Sequence, residues 1–115
     1  MADILYITQY DLQPYYYVTA QDQAGTAINL TGASIVCTMR NRRTREIVID
    51  RQSAGISITG ASTGQFEYRW QAGDTDLVGD YHIEFELTPT TGGKFTLPSR
   101  AHEAEVSIRE SLDSQ

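Results

Sequence analysis

This 115-residue chain has one cysteine, three prolines, one lysine and no long apolar run. Cys37 has no partner for an intrachain disulfide, so the fold has to stand on packing. No apolar stretch approaches the roughly 20 residues of a membrane helix. Met1, Ala2, Asp3 and Ile4 do not form a basic region followed by an apolar block, so no signal peptide is expected and synthesis is placed in a cytoplasm. A glycine-rich phosphate loop and a nucleophile elbow are missing as patterns. The two histidines and one cysteine do not fall at zinc-ligand spacing. With lysine almost absent, the positive charge is arginine: eight of nine bases.

Charge is unevenly placed. Residues 1–73 hold six acids and six bases, and residues 74–115 hold nine acids and three bases, which is the whole net charge of −6. An acidic half argues against nucleic-acid binding through that surface, because phosphate contacts require Lys or Arg. A basic tip and an acidic end suit head-to-tail docking with copies or neighbours, and equally an ordinary solvated surface.

Val, Ile, Thr and Tyr fill the apolar runs and Gly or Pro recurs at short intervals, which together predict an all-β domain. Strands are expected at residues 4–8, 15–20, 27–30, 33–40, 46–50, 56–59, 65–70, 80–88, 94–97 and 103–109, those at 27–30 and 56–59 being short. About eight or nine short strands at this spacing fit a β-sandwich. One domain is expected over residues 1–110, with a polar tail at 111–115. Alternation places Ile35, Cys37 and Met39 on one face, Ile47 and Ile49 on the same side, and Phe66, Tyr68 and Trp70 on an inner face. Tyr81, Ile83, Phe85 and Leu87 are expected inward, with His82, Glu84, Glu86 and Thr88 outward. Residues 74–78 supply the one helical turn expected.

The corner before residue 81 specifies the architecture further. A tyrosine opening such a strand returns its hydroxyl to the backbone of the preceding corner in immunoglobulin-like sandwiches. An immunoglobulin-like antiparallel β-sandwich is therefore expected. In that corner Asp74 or Thr75 caps the turn, Leu77 plugs the end of the sandwich, Gly79 makes the exit and Tyr81 seals it.

Catalysis needs a nucleophile, base or metal beside partners, and no such set assembles here. His82 shares its face with Asp80 and Glu84 and reads as an exposed strand residue, with metal binding as the alternative. His102, beside Glu103, reads the same way. Asp74, Asp76 and Asp80 open like a calcium loop, yet the fifth and twelfth positions are Val78 and Phe85. A looser calcium site on those aspartates stays open. Cys37 reads as a small buried apolar group. No catalytic, cofactor-binding or metal residue is assigned, no cofactor is expected, and the chain reads as a non-enzyme.

The remaining candidates are contact residues. Arg40, Arg42, Arg43 and Arg45 crowd a polar hairpin tip. They suit bidentate pairing with carboxylates of a neighbouring subunit, with nucleic-acid or lipid phosphate and a plain solvated tip as alternatives. Tyr15, Tyr16 and Tyr17 alternate in facing, so at least one is expected at the surface, where Tyr suits a protein interface or a sugar platform. Arg42, Arg43 and Arg45, then Tyr16, are the expected interface residues.

Two stretches carry a resemblance. Asp22, Gly25, Asn29, Leu30, Thr31, Gly32 and Ala33, followed by Met39 and Arg40, form the first. Gly64, Tyr68, Trp70, Gly73, Asp74, Thr75, Asp76, Gly79, Tyr81, Glu84, Phe85 and Glu86 form the second. Together they resemble small tailed-bacteriophage structural proteins, nearest to the N-terminal domain of phage baseplate upper proteins. Leu97, Pro98, Ser99 and Arg100 depart from the Phe-Pro-Asn/Asp that such proteins often carry. The resemblance implies a non-enzymatic virion component of tail, baseplate, neck or capsid, made in the bacterial host cytoplasm. Baseplate upper proteins continue into a long helical region, whereas this sequence ends at Gln115, so a stand-alone module is expected in place of a baseplate organiser. Multiple symmetric copies are expected, with other virion proteins as partners and neither nucleic acid nor membrane. A carbohydrate-binding adhesion module for the host surface is the second expectation, with exposed aromatics such as Tyr16 or Trp70.

Overall fold

Strand alternation is written into the burial of the longest element. Along Gly79–Thr88, Tyr81, Ile83, Phe85 and Leu87 are buried while Asp80, Glu84 and Thr88 are exposed, the period of two that a pleated strand imposes. A computed structural model describes residues 2–22, 24–90, 92–97 and 103–112. Its nine strands are β1 (Ala2–Thr8), β2 (Tyr16–Thr19), β3 (Ser34–Asn41), β4 (Ile47–Gln52), β5 (Ile56–Gly60), β6 (Gln65–Tyr68), β7 (Gly79–Thr88), β8 (Phe95–Leu97) and β9 (Glu103–Arg109). The chain is all-β, as expected.

The larger sheet runs β1-β9-β7-β3-β4, and the smaller runs β2-β6-β5. β8 and β9 share one flank of β7: β9 pairs with its first half, Gly79 to His82, and β8 with Phe85 to Leu87. All pairings are antiparallel except β1 with β9, which run parallel from Ala2↔Glu103 to Thr8↔Arg109. That corrects a purely antiparallel sandwich. The first and last strands are linked through the whole domain, so no hairpin forces them to oppose.

The two sheets meet through aromatic rings. Phe66 on β6 stands edge-on to Phe85 on β7 at 5.2 Å, and Tyr16 on β2 reaches the same ring at 5.7 Å. Ile7, Ala20, Leu30, Ile35, Cys37, Met39, Ile49, Tyr68, Trp70, Tyr81, Ile83, Leu87, Val106 and Ile108 complete the core among the described residues. Burial of these side chains, roughly 1.5–3 kcal/mol for a large apolar one, stands in for the missing disulfide. Cys37 is fully buried, as its alternating face predicts.

Three local expectations change. Residues 27–30 form no strand beyond one bridge, Gln21↔Ala27. This segment is the crossover between sheets: the Ile28 amide donates to Ala20 O (2.9 Å), and the Leu30 amide to Ala61 O (2.8 Å). Residues 74–78 make hydrogen-bonded turns and no helix, with Asp74 N–H on Gln71 O and Asp76 N–H on Gly73 O. The short helical piece is instead a 3₁₀ turn, Ala61–Thr63, between Gly60 and Gly64. Its exit needs Gly64, with φ +73°, where a Cβ would lie 2.4 Å from Ala20 O. Finally, Ile47 and Ile49 face opposite ways. Arg40 pairs with Ile47 and Met39 with Ile49, so Val48 is an extra residue and β4 is bulged.

Candidate functional site

The corner is built from the residues named for it, with one substitution of roles. Tyr81 is buried, and its hydroxyl donates to Leu77 O at 2.7 Å. Gly79 opens β7 at φ +156°, where a Cβ would meet Asn41 Nδ2 at 3.2 Å. Asp74 accepts on one carboxylate oxygen from the Tyr68 hydroxyl (2.6 Å) and the Gln71 amide (2.8 Å), closing the turn that follows β6. Leu77 does not plug the sandwich: it is 60 % exposed. The corner uses its carbonyl, which accepts the Tyr81 hydroxyl, and leaves the side chain outside. Thr75 takes the buried place. Its hydroxyl donates to Asp11 O at 2.9 Å, and its carbonyl receives the Tyr10 amide at 3.1 Å. Gln9 Nε2 adds a bond to Asp76 O at 2.8 Å. The corner thereby pins the β1–β2 connection.

These contacts set the titration of the interior. Burial first, then the Asp74 charge, pushes the Cys37 thiol far up. Burial first, then the hydrogen bond to Asp74, does the same to the Tyr68 phenol. A thiol held protonated in this way is a packing group and a poor nucleophile. Among the described residues no three His, Cys, Asp or Glu side chains gather as a metal site; Asp74, the first of the calcium candidates, is engaged by Tyr68 and Gln71. His82 is half-buried on β7, and His102 lies outside the described residues, as do Pro98, Ser99, Arg100 and residues 113–115 of the tail.

The arginine tip lies between β3 and β4. Asn41 organises it: its side-chain oxygen accepts the Arg43 amide (2.8 Å) and the Thr44 amide (2.9 Å), and its carbonyl accepts the Arg45 amide (2.9 Å). Arg45 sits at φ +69°, which reverses the chain. The Arg42 amide reaches Asp80 O at 2.9 Å, and its guanidinium pairs with Glu105 at 3.2 Å. Glu105 is almost fully buried, so Arg42 is a tie between the tip and β9. Arg43 and Arg45 are exposed on the hydrogen-bonded loop.

Tyr16 is the second correction. It is 9 % exposed and packs on Phe85, so it belongs to the core. Tyr17 is the surface residue, at 68 %. The β2–β6 register decides this, since Tyr16 lies opposite inward Tyr68 and Tyr17 opposite outward Glu67. Trp70 is buried as well, donating Nε1–H to Pro14 O at 2.8 Å. Neither Tyr16 nor Trp70 forms the exposed platform expected of a sugar site.

Two outer faces carry features that sequence reasoning did not assemble. On the larger sheet, a hollow of about 300 Å³ lies among Arg40, Ile47, Arg51, His82, Glu84 and Glu86. Arg51 bonds Glu86 at 2.6 Å, and this bond leads the causes that hold the Glu86 carboxyl below its usual range. On the smaller sheet, Tyr15 and Tyr17 lie with ring centroids 6.4 Å apart. The Arg69 guanidinium stands 5.4 Å from the Tyr15 ring, and its Nε bonds Glu67 at 2.5 Å. Alternation signals that Glu67 and Arg69 face out, but not that β2 lies beside them. No protein-family model matches the chain, and no curated protein is significantly similar to it.

Proposed function

We propose that this chain is a non-enzymatic structural component of a tailed-phage virion, an immunoglobulin-like brick that assembles through protein–protein contacts. The observation that carries the reading is the tip between β3 and β4. Asn41 holds its backbone in one shape, and Arg43 and Arg45 project from it into solvent. The loop backbone is set before contact, and the planar fork of each guanidinium meets a carboxylate with direction as well as attraction. The acidic half of the chain, net −6 over residues 74–115, offers complementary charge on a second copy.

The sheet order and the Tyr81 corner support the immunoglobulin-like part of the reading. The resemblance motifs also fall on fold-making positions: Gly64 at a left-handed turn, Tyr68 and Asp74 bonded, Tyr81 sealing the corner. Partners are other virion proteins, in multiple copies, in a particle assembled in the host cytoplasm.

The test is Arg43→Glu with Arg45→Glu in the phage genome. Purified variant should melt within a degree or two of the parent, and mature particles should lack the protein. Particles carrying the normal amount of the variant would defeat the proposal.

A further inference from the structure

We propose that the outer face of the β2-β6-β5 sheet is a binding site for a neutral hexose glycan, with Tyr17 as the stacking platform. The site is distinct from the arginine tip and stands or falls independently of the virion reading.

Register builds it. Tyr17, Glu67 and Ser57 form one outward row across the three strands, and Thr19 with Gln65 forms the next. Beside Tyr17 is a hollow of about 290 Å³ whose polar lining is Thr19, Thr59, Gln65 and Glu67. That size lies just under the range of small-ligand pockets, roughly 300–1,000 Å³, and suits a single sugar ring. A pyranose presents a flat C–H face and a rim of hydroxyls that each donate and accept. Tyr17 offers a flat apolar ring with a polar tip, 68 % open to solvent. The rim offers both hydrogen-bonding senses: two threonine hydroxyls, one amide and one carboxylate.

Electrostatics select a neutral ligand. Glu67 is 7 % exposed and lines the hollow with its charge paired, so the wall holds no unpaired charge to draw an ionic ligand of either sign. Its counter-charge is already in place, since Arg69 Nε bonds Glu67 Oε2. Arg69 is in turn held against the Tyr15 ring, and that hydrogen bond to Glu67 leads the causes that keep the guanidinium firmly protonated. A cationic ligand therefore gains little from Glu67. The chain Tyr15–Arg69–Glu67 orders the carboxylate before any ligand arrives, so Glu67 has less freedom to lose on binding.

The test is an amide-shift titration of the full chain with oligosaccharides of glucose, galactose, mannose and N-acetylglucosamine, and with oligogalacturonate and phosphate as anionic probes. At least one neutral probe should shift amides 17–19, 57–59 and 65–69, with a dissociation constant on the order of 1 mM. Tyr17→Ala should weaken binding about tenfold or more with the rest of the spectrum unchanged, Glu67→Gln should weaken it too, and Tyr17→Phe should keep most of it. Three results would overturn the proposal: no shifts with any neutral probe, stronger binding of the anionic probes, or binding unaffected by Tyr17→Ala.

Discussion

Tyr68 and Asp74 are bonded across the end of the sandwich, hydroxyl to carboxylate at 2.6 Å, and the same oxygen holds the Gln71 amide. A core tyrosine on β6 thus fixes the loop that leads to Tyr81. Removing the Tyr68 hydroxyl leaves a carboxylate short of a donor; removing the charge weakens both bonds. Tyr68→Phe and Asp74→Asn should each destabilise the fold, and their double-mutant cycle should show coupling of about 1.5–3 kcal/mol in urea unfolding. Additive losses would mean the two side chains act separately.

Alkaline pH should unfold this protein through the same region. Cys37 and Tyr68 are held protonated in the fold, chiefly by burial. The unfolded chain releases its thiol proton near 9.0 and its phenol proton near 10.0. Above those values the unfolded state binds fewer protons than the folded one, so stability is full below about pH 9 and falls as pH rises, by about 1.4 kcal/mol per pH unit for each group. Urea midpoints from about pH 8 to pH 11 should show the decline. Cys37→Ala should remove the portion that begins with the thiol; an unchanged slope would count against it.

The arginines of the tip should separate into two kinds. Arg42 faces a nearly buried Glu105, and its loss leaves that carboxylate short of its partner. Arg42→Ala should cost about 1–2 kcal/mol, discounted for the half-exposed guanidinium. Arg43→Ala and Arg45→Ala should change stability by less than about 0.5 kcal/mol. Equal effects at all three positions, in the same denaturation assay, would contradict the tie between tip and β9.

Gly64 and Gly73 make a matched pair. Both have positive φ, but a Cβ at Gly64 would lie 2.4 Å from Ala20 O, whereas Gly73 has open space. Gly73→Ala should lose about 1–2 kcal/mol from backbone strain alone. Gly64→Ala should lose clearly more, because Ala20 O cannot retreat without breaking the crossover bond from Ile28. Thermal unfolding of the two variants decides it; similar losses would show that the loop yields.

Alternation made the faces of β3, β6 and β7 legible from residue types, and the motif around Gly79 and Tyr81 announced the corner hydrogen bond. Those signals are local: pleating repeats every two residues, and the corner spans four. The same rule failed at Ile47 and Ile49, where a bulge breaks the period without a glycine or proline to mark it. The corner motif, in turn, misplaced Leu77, whose carbonyl is bonded by Tyr81 while its side chain is exposed.

Residue pattern alone therefore determined that this chain is all-β, which residues alternate together, and that Cys37 is a packing group. Tertiary structure decided which of two alternating faces turns inward, making Tyr16 core and Tyr17 surface. It also joined Arg42 to Glu105 across 63 residues of sequence and laid β1 parallel to β9. A strand's own geometry separates its two faces but does not rank them. The ranking comes from the sheet packed against it, and that sheet is assembled from distant segments.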